Sequence, residues 1–331
     1  MQNQPGQKQA GQTTASDAAP PDWLPGLLAG ERTALARAIT AVENETAEAA
    51  AVLQGIRSRL GHALVVGFTG APGAGKSTLV SAYVAELRRR DLSVGVVAVD
   101  PSSPLTGGAI LGDRIRMGQH AGDPGVFIRS LASRGHLGGL SRTAARVIDV
   151  FDASGRDVVV VETVGTGQSE VEIAEIADVR VVVNAPGLGD DVQAIKAGIL
   201  EIADILVVNK SDLPFAERSA RQLAAMSAQR GPNDSRGPVP VLQTSATSGK
   251  GVPELADAVA AMGKRKRPDP RARTRRLLQN LVLDRLRRGL AELPTADIDV
   301  LADAVLAGRS DIDAALLKLT ELLVSRLPQQ K

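Results

Sequence analysis

The chain contains no cysteine, which excludes a disulfide framework and any thiolate metal site. Its three histidines, His62, His120 and His136, lie far apart in sequence, so no clustered imidazole site is expected. Aromatic residues make up 2% of the chain. Single-stranded nucleic acid binds on successive ring faces, and this chain has few to offer. No apolar run approaches the roughly 20 residues that cross a bilayer, so no membrane association is expected. Residues 1–22 are rich in Gln, Ala, Gly, Ser, Thr and Pro, with a single lysine and no arginine. They match neither a secretory signal nor a transit peptide and read as a disordered tail, which makes a cytoplasmic protein the expectation.

A dominant charge is also missing: 39 Lys and Arg against 37 Asp and Glu leave a net charge of +2. Basic residues do concentrate at Lys264-Arg265-Lys266-Arg267 and at Arg271, Arg273, Arg275 and Arg276. A nucleic-acid patch and a solvated linker both have this composition; with so few aromatics, nucleic acid is not the expected partner. The 44% hydrophobic and 23% charged content is that of a globular chain, and the length suits one large α/β domain with helical additions, or two domains.

What is present begins at Gly70-Ala71-Pro72-Gly73-Ala74-Gly75-Lys76-Ser77-Thr78, a complete G-x-x-x-x-G-K-[ST] phosphate-binding loop. A glycine-rich surface turn could carry these letters, but here an apolar run, 63–68, precedes them and a helical pattern follows. Glycines let the chain wrap closely around a triphosphate with backbone N–H groups aimed at it, and the helix N-terminus adds partial positive charge. Lys76 is expected to neutralise the β- and γ-phosphates and Ser77 to ligate Mg²⁺.

Short β-branched runs at 64–68, 94–99, 126–128, 158–161, 179–183, 205–208 and 239–243 alternate with helix-length segments. Continuous apolar strands of this kind argue for a mostly parallel sheet covered by helices on both faces. Before it, residues 23–61 carry helical spacing that fits two helices, the second long. After Gly263 the pattern is helical only, at 271–290, 295–306 and 311–327, and the first of these carries Leu278, Val282, Leu286 and Leu290 on one stripe. The expected organisation is a tail (1–22), an N-terminal helical extension (23–61), a nucleotide domain (62–263) and a C-terminal helical arm (264–331). No internal repeat is found.

Asn209-Lys210-Ser211-Asp212 closes the sixth run as N-K-x-D. The Asp212 carboxylate can accept from both N1–H and the exocyclic amine of guanine; adenine presents neither, and would leave a charged group unpaired. Thr244-Ser245-Ala246 after the next run fits a backbone contact to the guanine carbonyl, so Asn209, Lys210, Asp212, Ser245 and Ala246 are the base-site candidates. Glu162-Thr163-Val164-Gly165 occupies the D-x-x-G position, with glutamate for aspartate. Glu162 would hold Mg²⁺ through a water while the Gly165 N–H meets the γ-phosphate. Asp100 and Asp113 flank a glycine-bearing stretch at a strand end, where ligands bind in such folds. Asp113 is expected at the metal and Asp100 nearer the attacking water, although a plain connecting loop with a helix cap at Asp113 has the same composition. Thr166, not glutamine, follows Gly165, which predicts slow basal hydrolysis that accelerates when a partner orders the switch segments; Arg114, Arg134 or Lys196 could add transition-state charge.

Together these segments resemble the methylmalonyl-CoA mutase-associated GTPases, the MeaB/ArgK family. The resemblance rests on GAPGAGKST at 70–78, VDPSSP and TGGAILGDRIRM within 99–117, FIRSLASRGHLGGLSR at 127–142, VETVGTGQSEVEIA at 161–174 and APGLGDDVQAIKAGILEIADILVVNKSD at 185–212. It covers roughly residues 24–330. It implies a P-loop NTPase fold of the SIMIBI GTPase type, with Mg²⁺ and GTP or GDP as ligands. It also implies a partner-facing switch holding Gly189, Asp190, Asp191, Gln193 and Lys196, and a C-terminal arm that makes a homodimer. The implied role is that of a chaperone that couples GTP hydrolysis to cofactor loading and protection of an adenosylcobalamin-dependent acyl-CoA mutase, with no cobalamin bound by this chain alone. Alternatives are a transport-associated ATPase or kinase, against which N-K-x-D argues, and a metallocentre-maturation GTPase, against which the missing thiolates argue. Asn184, polar at a strand end, departs from the expected pattern.

Overall fold

Seven strands form one parallel sheet in the computed structural model, which describes residues 20–100, 118–120, 122–132, 139–163, 176–187, 202–228, 239–266 and 270–326. The strands are β1 (Leu64–Gly70), β2 (Val94–Asp100), β3 (Val126–Ala132), β4 (Val158–Thr163), β5 (Val179–Asn184), β6 (Ile205–Val208) and β7 (Val241–Gln243). Their order across the sheet is β3-β2-β4-β1-β5-β6-β7. All the ladders are parallel, so every strand ends at the same edge. That edge collects Gly70, Asp100, Thr163, Asn184 and Val208. β7 starts two residues later than its apolar run suggests: Pro240 has no N–H to give a ladder, though its carbonyl accepts from Leu206 N at 2.9 Å.

Side chains alternate between the two faces of each strand, and both faces are covered, which is why the strands read as unbroken valine runs. Val65, Val97, Val159 and Val161 point into one cluster; Val66, Phe68, Val96 and Val160 point into another. The second cluster is closed by α4 (Lys76–Arg89) and α7 (Val252–Lys266) through Leu79, Val80, Tyr83, Leu255 and Val259. A smaller cluster joins β5 and β6 to α6 (Ala216–Ala228).

The first cluster is closed by α5 (Gly139–Ala153) and by the N-terminal helices, and here the structure differs from the two-helix expectation. There are three helices, α1 (Leu24–Leu28), α2 (Arg32–Glu43) and α3 (Ala49–Gly55), and a 3₁₀ turn at Arg57–Arg59. Positive φ angles break the periodic pattern, +79° at Gly30 and +50° at Glu45. Asn and Gly at such stops are legible, but a glutamate in the left-handed region is not a signal that sequence offers. The extension is integral to the core: Leu27, Leu35, Ile39, Val42, Val52 and Ile56 are fully buried.

Three helices follow the sheet, α8 (Pro270–Glu292), α9 (Thr295–Leu306) and α10 (Ile312–Arg326), close to the ranges read from the sequence. Pro294 opens α9, Gly308 turns the chain at φ +66°, and Asp311 caps α10 by accepting from Ala314 N at 2.6 Å. Leu278, Val282 and Leu290 of the α8 stripe are exposed, as are Leu306, Ile312 and Leu317.

One buried carboxylate ties the N-terminal layer to the sheet. Asp152 near the end of α5 accepts from the backbone N–H groups of Gly61, His62 and Ala63 at 2.6, 3.0 and 2.8 Å, where the chain enters β1. Asp152→Ala leaves three backbone donors without their carboxylate, that of Ala63 buried and those of Gly61 and His62 partly so. Urea unfolding should show a loss of about 2–4 kcal/mol of stability.

Candidate functional site

The candidate site lies at the carboxyl edge of the sheet, beyond β1 and the strands beside it. Gly70 ends β1 at φ +138°, and a Cβ there would stand 1.9 Å from the Val183 carbonyl oxygen of β5. No side chain fits. Gly75 sits at φ +82° immediately before α4, and its Cβ would meet the Asn209 side-chain nitrogen at 2.6 Å. The loop Gly70, Ala71, Pro72, Gly73, Ala74, Gly75 is thus shaped by contacts on both sides, and Lys76, Ser77 and Thr78 open the helix.

Lys76 is buried, and its ammonium donates to the carbonyls of Gly70 and Ala71 at 2.8 and 3.0 Å. The cation is held over the loop rather than released to solvent. Ser77 Oγ donates to Glu162 Oε1 at 2.6 Å, and both side chains are buried. Glu162 reaches this point because β4 runs beside β1, with Phe68 opposite Glu162 in the register. The extra methylene relative to aspartate brings the carboxylate to the serine hydroxyl. Next to them Thr163 Oγ1 donates to Thr69 Oγ1 at 3.3 Å. A hydroxyl and a carboxylate side by side are hard oxygen donors, the type Mg²⁺ takes alongside waters and phosphate oxygens. The residues present fit that ion.

The second half of the site comes from the ends of β6 and β7. Asn209, almost fully buried, donates from Nδ2 to the Ala74 and Gly75 carbonyls at 3.0 and 3.4 Å. Its Oδ1 accepts from Thr244 Oγ1 at 3.1 Å and from the Ala246 N–H at 3.2 Å. Lys210 adopts φ +57°, which lays its stem against Gly75. Asp212 is exposed, with its Oδ1 accepting from Ser245 Oγ at 2.6 Å. That hydroxyl first, and the residue's own backbone amide second, hold the Asp212 carboxyl below the usual carboxylate range. A base pressed against this loop meets a fixed anion. Asn184, the polar departure at the end of β5, accepts from Asn209 N at 2.7 Å through its carbonyl and so belongs to the same junction.

Between the halves runs a cleft of about 740 Å³ along one side of α4. Thr78 and Ser81 line it from the helix, Ala246, Thr247 and Ser248 from the loop after β7, and Gln119 from a 3₁₀ turn at Gly118–His120. Ser81 and Gln119 carry no motif and went unread in the sequence; only the spacing of Ser81, one helical turn after Ser77, could have pointed to it. Of the remaining candidates, β2 places the backbone of Asp100 at the same edge. Asp113, Gly165 and the segment with Gly189, Asp190, Asp191, Gln193 and Lys196 lie outside the described residues. Among the described residues there is no cluster of three His, Cys, Asp or Glu suited to a metal, and no helix long and apolar enough to cross a membrane.

Comparison with known proteins places this geometry. Residues 35–293 match the family described as "Methylmalonyl Co-A mutase-associated GTPase MeaB". A protein of Pyrococcus horikoshii, named as a GTPase, is 52% identical over 232 residues, 70% of this chain and 73% of its own. The GTPase ArgK of Escherichia coli is 48% identical over 187 residues, 55% of this chain and 56% of its own. The crystal structure titled "LAO/AO transport system kinase" superposes with a TM-score of 0.71 at 28% identity, covering 91% of this chain and 96% of that one.

The Ser245–Asp212 pair yields a direct test. Ser245→Ala removes the donor that favours the ionised carboxyl, so Asp212 should titrate at higher pH than in the parent chain. Carbon-detected NMR of the Asp212 carboxyl checks this; an unchanged midpoint would show that the hydroxyl does not set it.

Proposed function

We propose that this chain, which belongs to the methylmalonyl-CoA mutase-associated GTPase family MeaB and is a GTPase, couples GTP hydrolysis to cofactor loading and protection of an adenosylcobalamin-dependent acyl-CoA mutase in the cytoplasm. The observation that carries the reading is the family match across the whole sheet and through α8, joined to an intact phosphate loop and N-K-x-D junction. A transport-associated kinase using ATP is not favoured, because the Asp212 carboxylate would face no donor on adenine.

Hydrolysis of the γ-phosphate needs an aligned water and neutralised charge more than it needs covalent chemistry. Lys76 and the amides of residues 71–78 hold the phosphates. Asp212 takes the two guanine donors, with Lys210 beneath the base, Ala246 N–H toward its carbonyl, and Asn209 and Ser245 holding these groups in place. Ser77, Glu162 and Asp113 would hold Mg²⁺, the glutamate through a water. When bound, that ion draws charge from the β- and γ-phosphate oxygens as the bond breaks. Asp100 orients the attacking water, and Gly165 N–H contacts the γ-phosphate. No glutamine follows Gly165, so basal turnover is slow, and the segment with Gly189, Asp190, Asp191, Gln193 and Lys196 faces the mutase that accelerates it. The mutase performs its own radical chemistry, so this chain supplies no cobalamin ligand.

The C-terminal arm makes a homodimer in this reading, and the exposed apolar side chains of α8 to α10 are what such a contact would bury. Leu306 and Ile312, 86% and 71% exposed, are poor choices for a surface that stays wet. In sedimentation equilibrium the parent chain should behave as a dimer and the Leu306→Asp/Ile312→Asp variant as a monomer.

The mutase reading is tested with the full chain, Mg²⁺ and GTP. Turnover should rise by at least about tenfold when an adenosylcobalamin-dependent acyl-CoA mutase is added, a change of about 1.4 kcal/mol in barrier, and Lys76→Ala should abolish it. A panel of such mutases that neither bind nor accelerate the GTPase would overturn the assignment.

A further inference from the structure

The cleft beside α4 has two walls. One is the loop after β7, already tied to the base site through Ala246. The other is the turn Gly118–His120, which no motif accounts for. At the end near the phosphate loop the lining is hydroxyl and amide, from Thr78, Ser81, Thr247, Ser248 and Gln119, whereas Glu86 and Arg89 line the cleft further along α4. Thr78 is the last residue of the phosphate loop, and Ala246 borders the base. A nucleotide with its phosphates on the loop and its base at Asp212 and Ala246 must therefore place its sugar at this end of the cleft. At that end, hydroxyl and amide groups match a polyhydroxylated ring, which offers donors and acceptors without charge, while the charged pair Glu86 and Arg89 lies one to two turns further along α4.

The Gln119 wall is held in place with care. Gln119 Nε2 donates to Ser81 Oγ at 2.7 Å. Buried His120 places its Nε2 3.0 Å from the Ser81 carbonyl, 3.2 Å from the Ser81 hydroxyl and 3.1 Å from Gln119 Nε2 itself. Two turns along α4, Arg88 Nε donates to Asp123 at 2.9 Å, and the other Asp123 oxygen accepts from Gly125 N at 2.7 Å. Ser81 and Arg88 are seven residues apart and share a helix face. Residues 118–120 and 123–125 are thereby strapped along the helix that carries Lys76 and Ser77. A side chain with one end of its amide spent on Ser81 has a defined orientation, and its oxygen remains to accept from a ligand.

We propose that Gln119 contacts the ribose hydroxyls of the guanine nucleotide and that His120, in contact with both Ser81 and the Gln119 amide nitrogen, is the residue that positions it. The proposal rests on the reading of the site as one for guanine nucleotides, and it makes Gln119 a determinant of sugar specificity that acts independently of base recognition.

Calorimetric titration of the full chain with GDP and with 2′,3′-dideoxy-GDP, both with Mg²⁺, tests it. The parent should bind GDP about tenfold more tightly than the dideoxy compound, the size of one well-made hydrogen bond. Gln119→Ala should weaken GDP by that factor and leave the dideoxy compound within about twofold, which erases the discrimination. His120→Ala should erase it as well, and His120→Gln, which can return a donor toward the Ser81 carbonyl, should restore most of it. A parent that does not discriminate, or a Gln119→Ala variant that weakens both ligands equally or neither, overturns the ribose contact. Full discrimination retained in His120→Ala overturns the positioning role. A parent chain that binds neither compound refutes the nucleotide-site reading itself, a separate result.

Discussion

The site depends on a single amide. Asn209 donates toward the phosphate loop and accepts from the loop after β7, so one buried side chain fixes the separation between the two halves of the nucleotide site. A planar amide suits this position because it has donors at one end and an acceptor at the other, and burial makes each bond costly to lose. Aspartate could not donate to the loop carbonyls, and leucine of similar volume could do neither. Gly75 completes the arrangement by leaving room for that nitrogen. The two halves of the candidate site are in this sense one structure.

The same economy appears at Ser77 and Glu162. In the usual motif an aspartate stands where this chain has glutamate, and the longer side chain bonds directly to the serine hydroxyl. Parallel pairing of β4 with β1 brings the two together although they are 85 positions apart. A substitution that looks like a departure in a motif is, in three dimensions, an adjustment of reach.

How much was legible follows from what kind of signal each part leaves. The strands were, because burial on both faces forces unbroken apolar runs, and so was the need for glycine at 70 and 75, because close approach to Val183 and Asn209 leaves no room for a side chain there. The breaks in the N-terminal helices were not: Glu45 takes a left-handed backbone that its residue type does not announce. The strap of Gln119, His120 and Asp123 left no pattern either, since its logic is contact with Ser81 and Arg88, some 35 to 39 positions earlier. Such long-range polar pairs are set by topology, and a local reading cannot see them.

The tie between Asp152 and the entry to β1 has a consequence for how the molecule is made. Helices α1 to α3 are translated before the sheet, yet the apolar surface that covers them belongs partly to α5, about a hundred codons downstream. While the ribosome works through that interval, Leu35, Ile39 and Val42 have no finished partner to rest against. The α1–α3 layer is therefore left open until α5, with Asp152, has emerged and folded against it.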